Sequence, residues 1–133
     1  MKNNEITHII IGAAYNVYKQ LGFGFLESVY KKSMIIEMNK YHLYIEEEKS
    51  LKVYYDKSIV GEYYADLFVE SQIIVELKSV QRLIKGHEVQ LVNYLNALNK
   101  DSGLLNNFGP SQVKVKRKSG QFNTKMLKAK GPL

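Results

Sequence analysis

Two strand-like segments within residues 61–80 carry charged side chains in otherwise apolar sequence. Residues 73–75 form an uninterrupted β-branched apolar run, which is typical of a strand buried on both faces. Glu76 and Lys78 follow this run at once, and because side chains alternate across a strand, they project from the same face. The strand therefore presents a carboxylate and an ammonium group side by side.

The preceding strand adds a second carboxylate. Alternation places Asp66 on one face with Tyr64 and Phe68, and Ala65 and Leu67 on the other. The two strands are predicted to pair as a hairpin. The hairpin thus combines two carboxylates and a lysine in a setting that should be largely buried.

Burying these charges costs several kcal/mol unless they are paired or hold a metal ion. A divalent cation is one solution, because Mg²⁺ prefers carboxylate oxygens and leaves its other positions to water and substrate phosphate. The alternative is a structural ion pair of Lys78 with Glu76 or with Asp66 at a sheet edge, a common arrangement that contributes little stability. The hairpin alone leaves both interpretations open.

The order and spacing of several motifs resemble a known protein family. Asp66 followed by Glu76-Leu77-Lys78 resembles the PD-(D/E)XK nuclease superfamily, and residues 24–30, Gly-Phe-Leu-Glu-Ser-Val-Tyr, match the Gly-x-x-Glu-x-x-Tyr signature of the GxxExxY family within it. Further matches are His-Glu-Val-Gln at 87–90 leading to Tyr-Leu at 94–95, and Gly-Leu-Leu-Asn-Asn-Phe-Gly at 103–109. Together they span about residues 5–118. Ala65 stands where the superfamily has proline, a position that is not a ligand.

This resemblance implies a metal-dependent nuclease that hydrolyses phosphodiester bonds, with DNA as the expected substrate. It implies Asp66 and Glu76 as the main metal ligands, the Leu77 carbonyl as a third, and Glu27 as a residue that completes or supports the shell. Lys78 would position the attacking water and offset charge on phosphorus. Mg²⁺ is the expected cofactor, with Mn²⁺ as the other candidate.

A third group of residues is assigned to catalysis or nucleic-acid binding. Gln90 and Tyr94 lie four apart on one helix face, and they match a Gln-x-x-x-Tyr pair found in the recombination-nuclease branch. The match implies that Gln90 bonds Lys78, the attacking water or a phosphate, and that Tyr94 contacts the backbone of the nucleic acid. Tyr30 is expected to order the helical glutamate or contact a phosphate, and His87 to contact DNA or cap its helix. The alternative for this helix is an ordinary polar surface.

Local sequence offers a simpler interpretation for the acids outside the hairpin. Glu27 lies in the first turn of a helix and could pair with Lys31 four residues later. The three consecutive acids at residues 46–48 are interpreted as a solvated edge, because adjacent like charges repel.

The net charge of +6 is placed unevenly. Residues 112–133 contain seven Lys or Arg and no acid, whereas residues 1–111 contain 12 basic and 13 acidic side chains. A basic segment beside a phosphodiester site is the electrostatic pattern expected for nucleic acid, and its predicted contacts are Lys114, Lys116, Arg117 and Lys118. The alternative is a solvated tail that aids solubility.

The periodicities predict an α/β fold in which helices flank a mixed central sheet, and the resemblance implies that this is a restriction-endonuclease-like core. Helices are predicted at residues 5–20, 26–41 and 87–99, and strands between 44 and 69, after 73, at 103–109 and at 113–116. Residues 1–118 are predicted to form one domain, followed by a basic, flexible tail at 119–133.

Composition narrows the remaining function classes. The chain has no cysteine, which excludes disulfides and thiolate metal sites, and the apolar run at residues 9–11 is too short for a signal core or membrane span. A cytoplasmic protein with no membrane partner is expected. Two other functions stay open: a catalytically silent nucleic-acid-binding or adaptor module on the same fold, and a structural role suggested by ten tyrosines. A homodimer is compatible with a nuclease.

Overall fold

The computed structural model describes residues 1–120. Within these residues the chain forms eight elements in the predicted order of two helices, three strands, a helix and two strands. They are α1 (Asn3–Leu21), α2 (Glu27–Asn39), β1 (Ile45–Tyr55), β2 (Ser58–Val69), β3 (Ile73–Lys78), α3 (Lys85–Leu98), β4 (Ser102–Phe108) and β5 (Val113–Lys118).

The five strands form one mixed sheet in the order β1-β2-β3-β4-β5. Strands β3 and β4 are parallel, and the other neighbours are antiparallel. The parallel pair needs a long crossover connection, and α3 provides it. Strand β2 pairs with β3 only from Leu67 to Val69, so the rest of the β1–β2 hairpin extends beyond the sheet as a two-stranded ribbon.

Hydrophobic clusters lie on both faces of the sheet. Helices α1 and α2 cover one face, where apolar residues three and four apart on α1 pack against β3 and β4. Helix α3 covers the other face and packs chiefly against β4 and β1. Residues 73–75 are fully buried between these layers, which confirms the prediction of a strand buried on both faces. The predicted fold class is confirmed as well.

The predicted facing of β2 is wrong on the amino-terminal side of Asp66. Leu67 packs in the cluster under α1 and α2, but Ala65 packs with Phe68 under α3. The alternation therefore breaks at Asp66, next to Glu48 on the paired strand, which has a φ of 51°. This left-handed backbone costs a non-glycine residue roughly 1–3 kcal/mol, so the break in alternation coincides with a strained position on the paired strand.

The described part of the chain ends two residues after β5. Most of the predicted flexible tail at 119–133, including residues 121–133, lies outside the described residues. In the described part, no helix is both long and apolar enough to cross a membrane.

Candidate active site

The turn between α1 and α2 places Glu27 at the first position of α2. Gly22 and Gly24 have φ values of 67° and 115°, which glycine adopts at little cost. The Tyr30 hydroxyl, one turn into α2, donates to the Gly22 carbonyl and accepts the N–H of Phe25 at 3.4 Å. Gly22, together with Gly24 and Tyr30 of the signature, therefore shapes the turn that carries the glutamate.

Tyr30 is fully buried, and its ring stacks on Phe108 with centroids 4.3 Å apart. The prediction that Tyr30 contacts nucleic acid is therefore wrong for this structure. Its expected role in ordering Glu27 agrees with the hydrogen bonds that its hydroxyl makes to the turn.

Three carboxylates accept main-chain N–H groups around the end of β3. Glu76 Oε2 accepts the N–H of Asp66 at 2.7 Å, and Asp66 Oδ2 accepts the N–H of Leu77 at 2.8 Å. Glu27 Oε2 accepts the N–H of Ser79 at 3.4 Å. Because the β2–β3 ladder stops just before this point, the Asp66 and Glu76 side chains take the place of ladder hydrogen bonds. The hairpin thus brings Asp66 and Glu76 together, as predicted.

The environment of these two carboxyl groups favours their neutral forms. Glu76 is only 5% exposed, and burial together with the charge of Asp66 raises the pKa of its carboxyl to about 8. Burial also raises the pKa of Asp66, although the N–H of Leu77 acts in the opposite direction. A positive charge between the two carboxyl groups would stabilise their ionised forms.

Lys78 follows Glu76 on the same strand but makes no ion pair within residues 1–120. Its ammonium group lies near enough to lower the pKa values of Asp66 and Glu76, an effect smaller than that of burial. The alternative of a structural ion pair between Lys78 and either carboxylate is therefore wrong for this structure. Lys78 is a partly exposed cation without a fixed partner among the described residues.

A pocket of about 220 Å³ lies between α2 and strands β1, β2 and β3. Glu27, Asp66 and Leu77 line it together with Lys31 and Glu48. Lys31 forms an ion pair with Glu48 and not with Glu27, so the pairing predicted from helical spacing is wrong. Glu48 is exposed, as expected for a solvated edge, but its carboxylate is engaged in this ion pair. The ion pair of Lys31 with Glu48 was not predicted from the sequence, because no periodic pattern indicates a left-handed residue within a strand.

The oxygen ligands of this region suit a hard divalent cation. Within the described residues, no three His, Cys, Asp or Glu side chains converge as a metal-binding group. Mg²⁺ does not require three, since it is usually held by one or two carboxylates with water and phosphate completing its shell. The bonds described above use one oxygen of Asp66 and one of Glu76, so each keeps a second oxygen for a ligand.

Gln90 and Tyr94 lie in a groove of about 510 Å³ between α3 and the β1–β2 hairpin. Tyr63 lines the same groove, and its ring centroid is 5.8 Å from that of Tyr94. Burial raises the pKa of Tyr94, and the charge of Glu76 adds to this effect. In the described part of the chain, Gln90 makes no hydrogen bond to Lys78. Tyr63 was missed, because one tyrosine among ten gives no distinguishing signal.

Three of the four basic residues predicted to bind nucleic acid have partners within the chain. Glu88 pairs with Lys116 at 3.2 Å and with Lys118 at 2.5 Å, which holds α3 against β5. Arg117 donates to the side-chain carbonyl of Asn3 at 2.8 Å. Lys114 is exposed and makes no ion pair with the described residues.

Lys114 also lies in the same cross-strand row as the predicted catalytic lysine. Lys78 on β3 is opposite Asn107 on β4, and Asn107 is opposite Lys114 on β5. Two strand spacings separate the lysines, about 10 Å between backbones. The Asn107 side chain bonds both the N–H and the carbonyl of Val80, which fixes the chain just after Lys78.

His87 takes the second of its two predicted roles. Its Nδ1 accepts the N–H of Ile84 at 3.1 Å, which satisfies a main-chain donor at the start of α3. The residue is partly exposed.

Comparison with known proteins identifies the class to which this fold and site belong. A profile of the PD-(D/E)XK nuclease superfamily matches residues 4–118. The chain belongs to the PD-(D/E)XK nuclease superfamily, which consists mostly of nucleases that typically use divalent metals. This confirms the predicted superfamily and supports an enzyme acting on nucleic acid at that coarse level.

Among curated proteins, none matches this chain. A solved structure described as "Crystal structure of SSO0001" is similar, with 13% sequence identity and a TM-score of 0.49. The similarity covers 93% of this chain and 70% of that one.

Proposed function

We propose that the chain is a divalent-metal-dependent nuclease, with DNA as its substrate and Mg²⁺ as its cofactor. The observation that carries this proposal is the pair formed by buried Glu76 and half-buried Asp66 beside a lysine that has no ion pair among the described residues. Each of these carboxylates accepts a main-chain N–H across the opened hairpin, and burial raises both pKa values. Such a pair has a clear physical reason to exist if a cation binds there.

In this proposal Asp66 and Glu76 hold the cation, with the Leu77 carbonyl and Glu27 as further oxygen ligands. The chemistry supplied here by a bound divalent cation is polarisation of a phosphoryl oxygen and acidification of a water molecule. Lys78 orients the attacking water through its Nζ and offsets the negative charge that develops on the phosphate. Gln90 assists by bonding the same water or a phosphate oxygen. Mn²⁺ has the same preference for oxygen ligands and should substitute.

The groove on α3 is the proposed path of one nucleic-acid strand. Exposed Tyr63 offers an aromatic surface on which unpaired bases stack, nearly buried Tyr94 keeps only a small exposed area beside it, and no charged side chain lines the groove among the described residues. Phosphates would contact Lys114, which lies at the same end of the sheet as Lys78, and then Lys116, Arg117 and Lys118 further along β5. His87, partly exposed at the start of α3, would lie beside the same strand.

The finer assignments are part of the same proposal. We propose membership of the GxxExxY family, supported by the way in which its glycine and tyrosine positions shape the turn before Glu27. We also propose that residues 1–118 form one nuclease domain and 119–133 a basic tail, and that the protein acts in the cytoplasm.

A homodimer is proposed as the acting unit on duplex DNA, because cutting both strands requires two sites. The β1–β2 ribbon supports it, since it extends beyond the sheet with exposed apolar side chains, among them Tyr55, Ile59, Val60 and Tyr64. Sedimentation of the purified chain would test this directly.

The test of activity is cleavage of circular single-stranded DNA, linear duplex DNA and a structured RNA, with Mg²⁺, with Mn²⁺ and with chelator. The expected result is product that disappears with chelator and falls roughly a hundredfold or more in Lys78→Ala, because the charge at phosphorus is no longer offset. Lys32→Ala is the matched control, since Lys32 is an exposed lysine on α2. Cutting of the circle would define an endonuclease.

Two results would contradict the proposal. Lys78→Ala that cuts at the wild-type rate would remove this lysine from the chemistry. Absence of cleavage on every substrate, with salt-sensitive binding retained, would favour the adaptor module over the enzyme.

A further inference from the structure

Glu48 has an unusual backbone for a residue within a strand. Its φ is 51°, although it is not glycine and it lies in the middle of β1. The β1–β2 pairing passes from Glu47–Leu67 to Lys49–Ala65, so Glu48 lies opposite Asp66. A residue held in this conformation persists only where its surroundings determine it, and such residues concentrate at functional sites.

The carboxylate of Glu48 binds a lysine inside the pocket of the proposed metal ligands. Lys31 lies one helical turn after Glu27 on α2, its side chain is 17% exposed, and it pairs with Glu48. The hydrogen bond to Glu48 raises the pKa of Lys31, and the charge of Asp66 acts in the same direction. Lys31 therefore places its ammonium group in the same pocket as two proposed ligands of the metal, Glu27 and Asp66.

An ammonium group in this position is a potential competitor of a divalent cation. The pocket contains three carboxylates, Glu27, Glu48 and Asp66, and one ammonium, from Lys31, so its formal charge is −2. That charge matches one divalent cation. If Lys31 paired with Asp66 or Glu27, it would neutralise a ligand that the metal needs.

We propose that Glu48 is a positioning residue that holds Lys31 away from Asp66 and Glu27, so that these carboxylates stay available to the divalent cation. The inference rests on the proposed metal site and deepens it. Glu48 acts through Lys31 and does not bind the metal itself. The left-handed backbone is what directs its side chain to α2.

The test is calorimetric titration of Mg²⁺ into purified variants, which needs no cleavage activity. Glu48→Gln keeps the shape of the side chain and removes its charge, so Lys31 is released to compete for the metal ligands. The expected result is Mg²⁺ affinity weakened roughly tenfold or more, as is common when a partner of a metal site is lost. Adding Lys31→Met to Glu48→Gln should restore the affinity to the wild-type value or beyond.

Two further variants separate charge from backbone. Glu48→Gly fits the left-handed conformation and removes the carboxylate, so it should weaken Mg²⁺ binding as Glu48→Gln does. If Glu48→Gln folds poorly, Glu48→Gly provides the same test of the missing carboxylate. Glu47→Gln removes the charge of an exposed neighbour on the same strand and should leave the affinity unchanged.

Each contrary result has a separate meaning. If Glu48→Gln binds Mg²⁺ like wild type, the positioning role is wrong while the metal site stands. If the double variant stays as weak as Glu48→Gln, Glu48 is a direct ligand and the inference is overturned. If wild type itself binds no Mg²⁺, the proposed metal site fails, and the inference fails with it.

Discussion

Replacing Glu76 with glutamine should stabilise the metal-free protein. In the Glu76→Gln variant, the side-chain amide oxygen can still accept the N–H of Asp66, but no ionised group has to lose its water. In the native chain, the folded-state pKa of Glu76 is about 8 against an ordinary value of 4.5. Because the folded pKa is the higher one, the contribution of this group to stability is greatest below pH 4.5 and is lost as the pH rises towards 8.

The size of the effect follows from that pH interval. From pH 4.5 to pH 7, at 1.36 kcal/mol for each tenfold change, keeping Glu76 protonated in the folded state costs about 3 kcal/mol. Solvent screens this cost only slightly, because the side chain is almost fully buried. For a domain of this size, the variant should unfold about 10 °C higher than wild type at pH 7.

The assay is urea unfolding in the presence of chelator, followed by circular dichroism from pH 5 to pH 8. Wild type should lose stability across this range relative to Glu76→Gln, and the gap between the two should widen as the pH rises. Glu47→Gln is the control, since it removes an exposed carboxylate from the same sheet. Adding Mg²⁺ should stabilise wild type more than Glu76→Gln.

Parallel pH profiles for wild type and Glu76→Gln would refute this reasoning. They would mean that the carboxyl group at this position is ionised at no cost, and that the hairpin does not need a cation. A variant less stable than wild type at pH 7 would have the same consequence.

Two further substitutions test the site and the core. Asp66→Asn should weaken Mg²⁺ binding at least tenfold by calorimetry, because the ligand loses its charge, whereas Asp56→Asn, in an exposed turn, should not; equal affinities for Asp66→Asn and wild type would remove Asp66 from the site. Asn106→Leu should raise the free energy of unfolding by about 1–2 kcal/mol, because both polar atoms of this buried amide lack a partner within residues 1–120. Asn107→Leu removes two hydrogen bonds to Val80 and should lower the free energy of unfolding. If Asn106→Leu is less stable than wild type, the Asn106 amide has hydrogen-bond partners and the reasoning is wrong.

Much of the fold could be predicted because it depends on short-range patterns. On α1, the apolar residues at spacings of three and four are the ones buried, among them Ile6, Ile10 and Val17. The apolar run of β3 is buried on both faces, and the glycines near residues 22 and 109 separate the elements. These patterns state which face is buried, and one sheet with helices on both sides satisfies them.

The details of the site could not be predicted, because they depend on contacts between distant segments. Lys31 pairs with Glu48 because of where β1 lies against α2, whereas helical spacing predicted Glu27 as its partner. Tyr30 is buried because Phe108 stacks on it, and nothing near Tyr30 in the sequence indicates that contact. Lys116 and Lys118 face Glu88 only because α3 packs against β5.

Between β2 and β3, carboxylate side chains replace main-chain carbonyls as hydrogen-bond acceptors, and this makes the site observable by NMR spectroscopy. The amide protons of Asp66 and Leu77 are held by carboxylate oxygens and not by main-chain carbonyls. Their chemical shifts in an ¹⁵N-labelled sample should therefore change with the protonation of Glu76 and Asp66. The chemical shifts of amides within the regular ladder should not change. The same two resonances would respond when a cation draws the carboxylates away, which makes the backbone a built-in reporter of site occupancy.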